Sequence, residues 1–198
     1  MRVFVIAALG AVLCLSSLAS AQSYVVNFEE ANAEYGGSGS WVWSDDATGR
    51  KLSVATFAPR YGVPLCGPVT AEIEGMYTRS HKGAQATRIL SPQAQSFPSE
   101  TSHRLILGIN ALVNLSVSDR SSVFVLLGYG STWWWGVQPN SIPEGVKNLG
   151  QYGFGWRFML TANAAFRAEF RRQDQNGLGP NGGTLTEHKL LLGVSILE

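Results

Sequence analysis

Beyond residue 21 the chain has no apolar run of the roughly 18 residues that a membrane-crossing helix needs, so no helical span is expected there. Cysteine is nearly missing: Cys14 lies in the N-terminal apolar run and Cys66 is the other. With the first segment removed, no intrachain disulfide can brace the fold. Cys66 falls in Gly62-Val63-Pro64-Leu65-Cys66-Gly67-Pro68, a turn by composition, and reads as a free turn thiol. An excess of one charge sign is lacking too, with 15 basic and 14 acidic side chains. Loss of Arg2 with the N-terminal segment leaves 14 of each, without the basic patch that nucleic acid requires. Histidine is scarce (His81, His103 and His188), and no G-x-S-x-G, H-E-x-x-H or C-x-x-C spacing occurs. Motif-encoded catalysis and metal binding are thereby excluded, while a triad assembled in space is not.

What is present begins with a leader. Arg2 precedes an apolar run from Val3 to Leu15, and Leu18-Ala19-Ser20-Ala21 supplies small residues at a cleavage site. That run is too short to span a bilayer, so residues 1–21 are expected to be a secretory signal cleaved before Gln22; an uncleaved anchor is the alternative. Bulky Leu13 argues against lipid attachment at Cys14. The remainder, residues 22–198, is expected to form one domain rich in glycine and tryptophan, without helical periodicity.

Period-two alternation recurs along it. From Gln151 to Leu160 every even position is aromatic or leucine. Ala164, Phe166, Ala168 and Phe170 oppose Arg167, Glu169 and Arg171, and His188, Leu190, Leu192, Val194 and Ile196 oppose Lys189, Leu191, Gly193 and Ser195. The same pattern holds from His103 to Val113, from Val123 to Gly130 and from Val69 to Tyr77; two earlier strands are placed at Ala31–Trp43 and Arg50–Pro59. Such alternation is the mark of strands with two different faces. Connections at 44–49, 80–102, 136–150 and 174–184 alternate with shorter ones at 60–68, 116–122 and 161–163. An eight-stranded antiparallel up-and-down barrel with one looped end and one trimmed end produces that order.

Alternation leaves the direction of the faces open. A soluble barrel hides its apolar face, whereas a membrane barrel turns it to lipid. Three features favour the membrane arrangement. Gly108, Gly128, Gly130, Gly153, Gly155 and Gly193 lie opposite bulky residues, as a narrow lumen requires. Glu72, Glu74, Arg104, Arg157, Arg167, Glu169, Arg171 and Lys189 share that inner face, and their mixed signs allow a paired luminal network. Trp41, Trp43, Tyr77, Trp133, Trp134, Trp135 and Tyr152 fall near strand ends, where a membrane-interface girdle places aromatics. The Trp133-Trp134-Trp135 run also fits a carbohydrate-stacking platform.

The stretch Gly153-Phe154-Gly155-Trp156-Arg157-Phe158-Met159-Leu160-Thr161-Ala162-Asn163-Ala164-Ala165-Phe166-Arg167-Ala168-Glu169-Phe170-Arg171 resembles the penultimate hairpin of the small bacterial outer-membrane β-barrel domain family, which includes OmpA- and OmpX-type barrels. Phe124 to Gly130, followed by the Trp run, is similar to the preceding strand. Such barrels commonly end on an aromatic residue, where this chain ends Ile196-Leu197-Glu198. The resemblance implies a non-enzymatic transmembrane β-barrel of the bacterial outer membrane, with a structural role or loops that meet surface ligands. Outer-membrane lipid is the expected partner, nucleic acid and cofactors are not expected, and the chain is expected to be a monomer. In an exported bacterial chain Asn114-Leu115-Ser116 reads as a turn sequence rather than a glycosylation acceptor. A secreted soluble barrel for an apolar ligand is one alternative. A membrane-embedded lipid-modifying enzyme is another, and would need His103 or His188 beside an acid and a hydroxyl.

Overall fold

The computed structural model describes residues 31–45, 51–83, 99–118, 120–136, 145–176 and 184–198; the expected leader, 1–21, lies outside the described residues. Eight strands follow in order: β1 (Glu34–Asp45), β2 (Lys51–Cys66), β3 (Val69–Lys82), β4 (Glu100–Ser118), β5 (Ser121–Gly136), β6 (Gly145–Met159), β7 (Ala164–Gln175) and β8 (Leu185–Leu197). Each pairs antiparallel with the next, and β1 pairs with β8 to close a barrel. Past the end of that ladder, Glu198 N donates to Ala33 O at 2.9 Å and Ala33 N donates to Glu198 O at 3.2 Å.

The register fixes the width of the barrel. A pairing path leaving β8 at Ser195 passes through Gly36, Arg60, Glu74, Gly108, Gly130, Leu149 and Gln175 and returns to β8 at Leu185. A stagger of ten residues over eight strands corresponds to a tilt of roughly 40° and a backbone radius of about 8 Å, from strand rise and spacing. Inward side chains from opposite walls therefore meet. The faces are inverted relative to a water-soluble barrel. Ile109 and Leu127 are 65% and 69% exposed, while their strand neighbours Asn110 and Leu126 are 1% and 3% exposed.

Strand bounds differ from the sequence-based expectation at both ends. At the trimmed end β2 runs on to Cys66, past two prolines, so the expected link 60–68 shrinks to Gly67-Pro68, with Gly67 at φ 50°. Proline interrupts a strand because it lacks an N–H for the ladder. Both prolines sit where the β2–β3 ladder is already irregular. Pairing skips from Phe57↔Tyr77 to Arg60↔Glu74, and a register shift lies between Pro64 and Cys66. At the looped end, β3 continues to Lys82, β4 begins at Glu100, β5 takes in Trp133 to Trp135, β6 begins at Gly145 and β7 reaches Gln175. Apart from the Trp run, those segments lack apolar alternation and read as loop, yet backbone pairing continues beyond the apolar band.

The lumen is stratified. Ala31, Met159, Ala165 and Leu197 pack near the trimmed end, and Leu112, Phe124 and Leu126 of β4 and β5 form a separate small group. Gly155 makes room for Phe124, since a Cβ there would lie 2.2 Å from the ring. Towards the looped end Ala58, Met76, Ile106, Leu149 and Leu191 form a second apolar cluster.

Candidate functional site

Between the apolar clusters at the trimmed and looped ends lies a closed set of charges. Inward positions of β1, β2, β3, β6 and β7 bring Glu34, Arg60, Glu72, Glu74, Arg157, Arg167, Glu169 and Arg171 together, every one of them buried. Arg167 is the hub: its Nη1 lies 2.7 Å from Glu72 and 3.3 Å from Glu34, and its Nη2 lies 2.7 Å from Glu169. Arg171 donates to Glu74 through Nη1 at 2.5 Å and Nη2 at 2.6 Å, and through Nε to Glu169. Arg60 reaches Glu169 at 3.1 Å and also donates to Ser38, while Arg157 reaches Glu34 at 2.8 Å. Four guanidinium groups thus face four carboxylates, without an excess of either sign. The Phe124 ring presents its face to two of the cations, at 4.7 Å from Arg157 and 4.5 Å from Arg167. A polar relay continues upward: Asn110 donates to Glu72 at 3.0 Å, Gln151 donates to Asn110 at 2.6 Å, and Gln173 donates to Gln151 at 2.9 Å.

Of the charges picked out in the sequence, six occupy this cluster: Glu72, Glu74, Arg157, Arg167, Glu169 and Arg171. The structure puts Arg104 and Lys189 elsewhere. They sit nearer the looped end around Glu187, at 2.7 Å and 3.8 Å respectively. Glu34, Arg60 and Glu187 were missed. Glu34 lies at the start of a weakly patterned strand, Arg60 falls in the stretch 60–68 that reads as a link, and Glu187 precedes His188, where the apolar alternation begins. The signal for Arg60 is present: Thr56, Ala58, Arg60 and Gly62 alternate with Phe57, Pro59, Tyr61 and Val63.

Above the second apolar cluster the lumen widens into a cavity of about 670 Å³, whose wall includes Val42, Leu52, Val54, Arg104, Trp134 and Lys189. Trp134 turns inward with Gly128 and Gly130, away from the expected girdle. Its neighbours Trp133 and Trp135 point the other way by period two, and the Arg104 guanidinium lies 4.7 Å from its ring. A continuous three-tryptophan platform is therefore not formed. The other aromatics face outward: Trp41 and Trp43 lie with ring centroids 4.9 Å apart, and Tyr77 lies 6.3 Å from Trp135. Tyr152 sits lower, at the middle of β6, with the Arg172 guanidinium 5.6 Å from its ring.

The histidines do not assemble a charge relay among the described residues. His103 Nδ1 bonds the Tyr77 hydroxyl at 2.7 Å and its ring stacks on Trp135, and His81 Nδ1 bonds Thr101 at 2.9 Å. His188 stacks on Phe170, while nearby Thr186 donates its hydroxyl directly to Asp174 at 2.7 Å. A nucleophile, base and orienting acid must link hydroxyl, imidazole and carboxylate in that order; at His188 the Thr186 hydroxyl goes to the acid instead, and at His103 the hydroxyl is the Tyr77 phenol.

Among solved structures, the Neisserial surface protein A (NspA) superposes with a TM-score of 0.56 at 11% identity, over 84% of this chain and 97% of that one. At that identity the likeness shows the fold alone. A bacterial polysaccharide outer membrane secretin matches with a TM-score of 0.38 at 14% identity, over 84% of this chain and 51% of that one, too weak to carry an argument. No curated protein matches the chain. The family described as outer membrane protein beta-barrel domain matches residues 6–196. Family match, closed eight-stranded topology and lipid-facing apolar exterior agree, and the chain belongs to that family of bacterial outer-membrane barrels.

Proposed function

We propose that the chain is a non-enzymatic barrel whose lumen is shut by an ion-pair plug and whose outer connections are held on a rigid scaffold to meet surface partners. The plug carries this reading. Eight buried charges of balanced sign occupy the lumen between two apolar clusters, and side chains from opposite walls already touch at this radius. The Thr186 hydroxyl, spent on Asp174 rather than on His188, supports a non-enzymatic role, and pairing of every strand within one chain supports a monomer. The test is single-channel recording of the refolded barrel in a planar bilayer. Current should stay at the level of the bare membrane, and discrete conductance steps from the wild-type protein would overturn the plug. Residues 1–21 would serve as the export signal, and intact mass of protein from the outer-membrane fraction should correspond to a chain starting at Gln22.

A further inference from the structure

The barrel is not zipped to the same height at every seam. The β1–β2 ladder runs to Asp45↔Lys51 and the β7–β8 ladder to Gln175↔Leu185. The β1–β8 ladder runs from Glu34↔Leu197 to Gly39↔Leu192 and ends there, although β1 continues to Asp45 and β8 begins at Leu185. The outer half of this seam is therefore parted. The cavity passes through the gap. Successive side chains of a strand point to opposite faces, yet Glu187, His188, Lys189 and Leu190 all touch the same cavity. A space reaching both faces of β8 must go round its free edge.

The height of the gap identifies its surroundings. Trp41 and Trp43, on the outer face of β1 beside the gap, have the half-exposed placement of interface aromatics. The opening thus faces the region where head groups of the outer leaflet give way to their chains. An unpaired strand edge in contact with hydrocarbon is costly, so water or a polar occupant is needed there. The cavity wall offers two chemistries. Val42, Leu52 and Val54 give an apolar side. Lys82, Arg104 and Lys189 outnumber Glu100 and Glu187. Arg104 is 2% exposed, and its Nε has no hydrogen-bond partner; its Nη1 lies close to Glu187 but off hydrogen-bond alignment. Its indole neighbour, Trp134, likewise has an unpartnered Nε1. A buried guanidinium with donors to spare beside an apolar wall suits an anionic amphiphile.

We propose that the parted β1–β8 seam is a lateral doorway from the outer leaflet, through which a single-chain anionic lipid places its chain against Val42, Leu52 and Val54 and its head group on Arg104 and Lys189. A volume of about 670 Å³ lies within the roughly 300–1,000 Å³ of small-ligand sites, consistent with one chain rather than several. Glu187 then acts as the internal counter-ion that the head group displaces. The proposal rests on membrane placement and not on the plug, which conductance reads separately.

The test uses the full barrel in zwitterionic phospholipid vesicles with 9,10-dibromostearate as the probe, whose bromines quench indole fluorescence. Saturable quenching that disappears in Trp134→Phe is expected. Arg104→Gln with Lys189→Gln should weaken it at least tenfold, and Glu187→Gln should tighten it. The doorway is tested by bridging Trp43→Cys and His188→Cys with a short bis-maleimide, in a Cys66→Ser background. Bridging should abolish the Trp134-dependent quenching, with retained heat-modifiable gel mobility showing that each variant is folded. Quenching that lacks a Trp134-dependent part, or ignores the loss of both cations, overturns the site. Quenching that survives bridging overturns the lateral route, because the probe then arrives through the open mouth.

Discussion

Replacing Arg167 by methionine isolates the energetics of the plug. Methionine keeps much of the side-chain length and removes the charge. Arg167 is 1% exposed and pairs with Glu34, Glu72 and Glu169 at once. The loss falls unequally on these partners. Glu34 keeps Arg157 at 2.8 Å, and Glu169 keeps Arg60 at 3.1 Å together with Arg171. Glu72 keeps only the Asn110 amide at 3.0 Å and a longer contact to Arg171 at 3.8 Å. A balanced set of four and four becomes anionic by one, with the excess centred on Glu72. Breaking a buried pair by removing one partner costs about 3–5 kcal/mol, against about 0–1 kcal/mol for a hydrated pair. The assay is equilibrium urea unfolding of the barrel in phospholipid vesicles, followed by the gel-mobility difference between folded and unfolded forms. Arg167→Met should lower stability by the larger figure. Adding Glu72→Gln should restore at least about 1 kcal/mol, because it removes the stranded charge rather than a further contact. A loss under about 1 kcal/mol, with no recovery in the double variant, would mean that water reaches these groups, and would refute the dry-plug reasoning.

Two further expectations concern faces and space. Ile109→Arg puts a charge on the lipid side between Ile73 and Tyr129, and should cost about 2–4 kcal/mol in vesicles, as expected near the midplane. An unchanged urea midpoint would contradict a lipid-facing Ile109. Gly155→Ala pushes a methyl into the Phe124 ring and towards Ala168 O at 2.8 Å, so overpacking of about 1–3 kcal/mol is expected. Phe124→Ala should relieve part of that cost when combined with it, and strictly additive losses in the double variant would show that the two positions do not share space.

Period two in residues 69–77, 103–113, 123–130, 151–171 and 188–197 was enough to place six of the eight strands, and alternating link lengths were enough to order them as an up-and-down barrel. The inner face was also legible, because charges and glycines fell on one side of each strand. The strand ends were not legible. Pro59 and Pro64 end a strand by local rule, and only the irregular β2–β3 ladder explains how β2 passes them. His81, Lys82, Gln173 and Asp174 carry no apolar alternation, so local sequence offers nothing to mark pairing that continues past the membrane surface. The inner charges were visible as a list, but not the division that sets Arg167 among Glu34, Glu72 and Glu169 and leaves Arg104 and Lys189 with Glu187.

The sequence by itself determined the number of strands, their alternation and the face that meets lipid, because each depends on neighbours two residues apart. Tertiary structure alone decided which charges pair and where the β1–β8 ladder stops. Those outcomes depend on stagger around a closed barrel, which brings residues as distant as Glu34 and Arg167 to 3.3 Å and leaves no trace in local order.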